Sequence, residues 1–94
     1  MFTDMGRGYH MTFSNGFTIS VTWRPGSYSD NYRRTLDVSQ PTSHTAEVWA
    51  WRGERDPYGN PYEASVWPEP LKYKTAEEVA ELILLVSRLE AQNI

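Results

Sequence analysis

Ninety-four residues with four tryptophans, six tyrosines, three phenylalanines and no cysteine make one small domain over 1–94, with no disulfide, thiolate nucleophile or thiolate metal site. A net charge of −3, twelve acids against nine bases, weighs against general nucleic-acid binding, which needs a basic stripe. It also falls short of the dense carboxylate array that a mimic of DNA would need.

The opening "MFTDMGRGYH" lacks the basic start and apolar run of a signal peptide. The longest apolar run, Leu82 to Val86, is too short to span a bilayer. The expectation is an intracellular protein of the cytoplasm, with no membrane contact.

Tyr9, Met11 and Phe13 alternate with polar residues, as do Phe17, Ile19, Val21 and Trp23. This is the period of two of a half-buried antiparallel strand, and Asn15-Gly16 marks the turn between two of them. A two-residue loop would pair Phe13 with Thr18 and set the two apolar sets on opposite faces. A three-residue loop, Ser14 to Gly16, pairs Phe13 with Phe17 and puts both on one face. The spacing therefore predicts a type I turn followed by a left-handed Gly16 and a bulge.

The next stretch, "RPGSYSDNYRR" (Arg24 to Arg34), begins as a Pro-Gly type II turn with Gly26 at the positive-φ position. The irregular segment runs on to about His44, long for so small a domain, and such loops are functional or disordered more often than short ones. Tyr28, Asp30, Asn31, Tyr32, Arg33 and Arg34 bring stacking surfaces, hydrogen-bond partners and a cationic fork together. Two readings stand, a plain connector and a recognition loop in which tyrosines give rigid contact area. The same groups could hold a nucleotide, with arginines on phosphate and tyrosines on the base.

"TAEVWAWR" (Thr45 to Arg52) reads as a third strand, with Ala46, Val48 and Ala50 on one face and Trp49 and Trp51 on the other. The small residues would admit a close helix. The tryptophans either pack as a second, smaller aromatic layer or anchor a partner or a dimer mate. "ERDPYGNP" is rich in turn formers and reads as a hairpin tip leading to a fourth strand, "YEASVW" (Tyr62 to Trp67). Pro68 and Pro70 are then expected to end the sheet.

Thr75 followed by Glu78 is a capping box, with Glu77 and Glu78 in the first turn. Val79, Leu82, Ile83, Val86 and Leu89 fall on one stripe of a helix expected from about Thr75 to Gln92. Leu84 lies opposite that stripe and Leu85 at its edge. The fold class expected is α+β, a four-stranded antiparallel meander with this helix packed on one face. A short extra strand near Thr35 to Val38 is the arrangement that would bring the long loop and the second hairpin tip together.

His10 lies among outward polar positions and His44 in a loop, neither in a recognisable catalytic or metal-binding pattern. No enzymatic activity, cofactor or metal is expected. "MTFSNGFTISVTWRPGSYSDN", "TAEVWAWRG" and "KTAEEVAELI", in that order, resemble a family of small uncharacterised proteins encoded by bacteriophages and prophages. The shared pattern is an aromatic-Asn-Gly hairpin, a Pro-Gly-x-Tyr-x-x-Asn loop, an Ala-Glu-Val/Ile strand and a short C-terminal helix. It spans most of the chain apart from Arg33 to Ser43 and the second hairpin tip.

The resemblance implies an origin and assigns no residue a role. It implies a counter-defence factor that binds and inhibits a host defence protein, a CRISPR effector being one candidate, in the bacterial cytoplasm. Alternatives are a sponge for a signalling nucleotide and a structural protein of phage assembly. The binding residues expected are Tyr28, Asp30, Asn31, Tyr32, Arg33, Arg34, Trp49 and Trp51.

Overall fold

Phe13 and Phe17 face each other across the first hairpin, as side-chain parity requires. The Phe13 N–H donates to Phe17 O at 2.8 Å and the Gly16 N–H to Phe13 O at 3.0 Å, with Gly16 at φ +89°. The computed structural model describes residues 2–3, 6–24, 26–32, 42–53 and 65–90. Its elements are β1 (Phe2–Thr3), β2 (Gly8–Thr12), β3 (Phe17–Thr22), β4 (Thr42–Ser43), β5 (Thr45–Arg52), β6 (Leu71–Thr75) and α1 (Ala76–Ser87). Among the described residues β2, β3, β5 and β6 form a four-stranded antiparallel sheet in that order, and β1 pairs with β4 apart from it. The fold is α+β, a meander with one helix.

Register fixes the two faces. Met11, Ile19 and Ala50 lie in one row, and Tyr9, Val21 and Val48 in the next. Phe17, Ile19, Val21, Ala46, Val48 and Ala50 are fully buried there, joined by Val79 and Val86 of α1. The three small side chains of β5 let the helix sit close, and α1 lies against β3, β5 and β6. Leu82, Ile83 and Leu89 complete the stripe, whereas Leu84 and Leu85 are exposed. Each fully buried Val, Ile or Phe side chain there contributes about 1.5–3 kcal/mol, and the alanines less.

The capping box is present in full. The Glu78 N–H donates to Thr75 Oγ1, and the Thr75 N–H donates to Glu78 Oε1 at 3.0 Å. At the other end no basic residue lies in the last turn of α1. Asn15 of the hairpin takes that role, its Nδ2 donating to Val86 O and to Leu89 O at 2.9 Å each. Its Oδ1 accepts the Phe17 N–H at 3.1 Å, which fixes the amide's orientation. The helix therefore stops at Ser87, short of the expected Gln92.

The fourth strand is the main departure from the sequence reading. The strand that pairs with β5 at the edge is β6, which follows Pro68 and Pro70, whereas the expected strand was Tyr62 to Trp67. Residues 62–64 lie outside the described residues. Ser65 makes only an isolated bridge to Trp51, and the Val66 N–H donates to Ala50 O at 2.9 Å. Both segments use the same free edge of β5 in series: 65–66 meet its end, and β6 meets its beginning. Pro70 does not end the sheet because it stands just before an edge strand, where no ladder N–H is required of it. The second hairpin tip and Thr35 to Val38 also lie outside the described residues.

Candidate binding surface

The loop after β3 is wound around its own small polar side chains. Gly26 takes the expected positive φ, +88°, and the Ser27 N–H donates to Arg24 O at 3.0 Å, while Pro25 lies outside the described residues. Ser27 and Ser29 share a buried hydroxyl contact of 2.9 Å, and Ser29 Oγ accepts the Asn31 N–H. Asn31 Nδ2 donates to Trp23 O at 2.7 Å, tying the loop to the buried tryptophan at the end of β3. The Gly26 N–H then donates to Tyr32 O, closing the circuit.

Ser27, Ser29 and Asn31 thus point inward, and Tyr28, Asp30 and Tyr32 lie between them on the outer side. Asn31, only 1% exposed, is a strut rather than a contact residue. Asp30 is a brace. Its Oδ1 accepts from Thr45 Oγ1 at 2.6 Å and its Oδ2 from the His44 N–H at 3.1 Å, pinning the loop to the start of β5. Arg33 and Arg34 lie outside the described residues.

The two tyrosines stack at 5.2 Å and 10°. Lys72 Nζ stands 4.5 Å from the Tyr28 ring centroid. Lys72 belongs to a bulge in β6: Val48 pairs with Leu71 and Ala46 with Lys74, so Lys72 and Tyr73 both oppose Glu47. Tyr73 is left-handed at φ +53° and 49% exposed, and its N–H leaves the ladder to donate to Tyr28 O at 2.9 Å. A left-handed tyrosine costs roughly 1–3 kcal/mol, so the surrounding structure must hold it in place. Such bulges re-aim side chains beside functional sites.

Trp49 and Trp51 lie on the face away from α1. Trp51 is 3% exposed, packed edge-on against His10 at 5.4 Å and Trp49 at 6.0 Å. Trp49 is half-buried and its Nε1 donates to Trp67 O at 3.0 Å. This is the small aromatic layer, with Trp49 left partly open. At the loop end of the same face, His10, Ser20, Thr22, Arg24, Gly26, Ser27 and Glu47 surround an open hollow of about 520 Å³. Burial raises the Glu47 carboxyl above the usual range, partly offset by the Tyr28 N–H that it accepts and by Lys72. The loop and the tryptophan face, separate candidates in the sequence, meet on one side of the sheet.

Glu47, Lys72 and Tyr73 were not singled out from sequence. Glu47 was within reach, because it shares parity with Trp49 and Trp51. Lys72 and Tyr73 were hidden by the misplaced fourth strand. Among the described residues no group of three or more His, Asp or Glu is placed to hold a metal ion, and no helix is long and apolar enough to cross a membrane. Comparison with known proteins finds no matching family model, no matching curated protein and no matching solved structure.

Proposed function

We propose that this is a non-catalytic binding protein that docks on a host protein through the stacked tyrosines, Lys72, Tyr73 and the adjoining hollow. The observation that carries the reading is the bracing of the Tyr28–Tyr32 stack. Asp30 and Tyr28's own backbone tie it to β5 and the bulge of β6. Aromatic anchors held before contact lose little conformational freedom on binding, which is how a small surface reaches useful affinity. Tyr32 is 41% exposed and Tyr73 more so, large apolar area that a partner would cover.

The resemblance to phage-encoded proteins supports the finer reading, in which the partner is a host defence component blocked by occlusion. A nucleotide sponge is less well matched. A base sandwiched between two rings needs about 7 Å, twice the van der Waals contact of roughly 3.5 Å, and the tyrosines already touch each other at 5.2 Å. The neighbouring hollow sets the Glu47 carboxylate against the Arg24 guanidinium, so it is not the cluster of cations that a phosphate group favours.

The test is affinity capture from bacterial lysate with wild type and Tyr32→Ala, followed by mass spectrometry of proteins and nucleotides. Tyr32→Ala should cost the fold about 1 kcal/mol or less, the worth of the stack, yet weaken the complex by about 2 kcal/mol or more. A protein captured equally by both would remove the tyrosines from the interface. A co-purifying nucleotide lost in the variant would turn the reading to the sponge.

A further inference from the structure

Packing on the sheet leaves part of α1's apolar surface unused. Leu84 and Leu85, neighbours on a helix of 12 residues, are each 49% exposed. One exposed leucine is ordinary on a soluble domain. Here two stand together, and Leu85 also lines an open hollow of about 270 Å³ with Lys74, Glu78, Glu81 and Leu82.

The charges around these leucines are sorted along the helix. At about 3.6 residues per turn, Glu77, Glu81, Leu84 and Arg88 fall within roughly 60° of one another, on the side away from buried Val79 and Val86. All four are exposed, with acid at the N-terminal end, leucine in the middle and a base at the C-cap. Glu77, Glu81 and Arg88 form no ion pair among the described residues. Glu77 and Arg88 lie about 16 Å apart along one axis, too far to meet within a helix.

Two such helices side by side and parallel would oppose like charges. Reversed about a two-fold axis, they set Glu77 of each copy against Arg88 of the other and oppose their dipoles. The axis then crosses midway between these residues. It brings the two Leu84 side chains within about 4.5 Å along the helix direction. Each Leu85 comes level with the stretch from Glu78 to Leu82 that lines the second copy's hollow.

We propose that the outer face of α1 is a homodimer interface, an antiparallel helix pair with Leu84 at its centre and a Glu77–Arg88 ion pair at each end. The occupant is a second copy because the face is complementary to itself reversed, in charge as well as in apolar surface. A single helix about 18 Å long buries less than the roughly 1,200 Å² of a standard interface, so the dimer is weak and depends on concentration. It uses none of the residues of the tyrosine surface.

Sedimentation equilibrium from about 10 μM to about 1 mM, the range a small interface calls for, should show a reversible monomer–dimer equilibrium. Leu84→Gln changes an exposed site and should leave the melting temperature nearly unaltered while weakening association about tenfold or more. Glu77→Arg and Arg88→Glu should each be monomeric alone, because each turns both ion pairs into repulsions. Mixed in equal amounts they should dimerise as the wild type does, since every pair is again of opposite sign. Circular dichroism checks that each variant is folded, and Leu84→Gln decides the case should a charge variant unfold. Wild type still monomeric at about 1 mM would overturn the proposal and leave the face to a different partner. Unchanged association of Leu84→Gln would also overturn it. Two folded, monomeric charge variants that fail to associate when mixed would overturn the antiparallel pairing.

Discussion

Replacing Asn15 with aspartate tests how the first hairpin and the helix are joined. The carboxylate keeps an oxygen for the Phe17 N–H but turns another toward Val86 O and Leu89 O, where the amide donated at 2.9 Å. Two hydrogen bonds worth about 1 kcal/mol each are lost. A negative charge at the helix C-terminus adds about 0.3–1 kcal/mol. The total approaches about 3 kcal/mol, and at roughly 4–8 °C per kcal/mol for a domain of this size the melting temperature should fall by about 12–24 °C. Asn15→Ala loses all three bonds without the repulsion, about 3 kcal/mol on the same scale, so it should fall by a similar amount and show no acid recovery of its own. In Asn15→Asp the folded state raises the carboxyl's pKa, so part of the deficit should return as pH falls and a proton restores a donor. Calorimetry of both variants across pH is the assay. Two melting curves within about 2 °C of wild type would refute the idea that this amide holds the helix end.

Val86 is fully buried in the core cluster, so Val86→Asp should cost about 4 kcal/mol or more by burying an unpaired charge, and circular dichroism at room temperature should show an unfolded chain. Glu78 is held below its ordinary 4.5 by the Thr75 N–H, then by the Thr75 hydroxyl, with Lys74 3.8 Å away adding a smaller effect. Its contribution is therefore present above that pH and lost as pH falls through the lower folded value. The advantage of wild type over Glu78→Gln, read from denaturant midpoints, should shrink on acidification, and an advantage constant down to strong acid would contradict the capping box.

How the fold was legible differs element by element. The helix and the first hairpin could be read because a single physical constraint dominates each. A capping box needs two residues at one spacing, and face parity leaves one loop length for the hairpin. Asn15 shows what parity alone misses. Gly16 supplies the positive φ, and Asn15's amide serves a helix more than seventy residues away, which no local pattern announces. The edge strand failed for a related reason. Its bulge at Lys72 and Tyr73 breaks the period of two, two prolines precede it, and Thr75 is at once its last residue and the helix cap. "YEASVW" alternates better, yet its described part reaches β5 through little more than one bridge.

The candidate surface was half legible, and the missing half follows from architecture. One helix covers one face of a four-stranded sheet, so the other face needs a different cover. Trp51 is closed off by His10 and Trp49. At the opposite end β3 and β5 carry Ser20, Thr22 and Glu47, which a closed apolar layer would not tolerate, and Arg24, Gly26 and Ser27 line the hollow beside them. The small-large alternation from Ser27 to Ser29 marks the serines as struts, and parity carried on to Asn31 would have placed it inside with them, although Asp30 and Asn31 are of one size. The sequence placed Asn31 among the contacts because polarity was weighed and parity was not. Polar strand residues beside a braced aromatic loop are what a surface open to a partner requires, and the same residues beneath a second helix would have been a burial penalty.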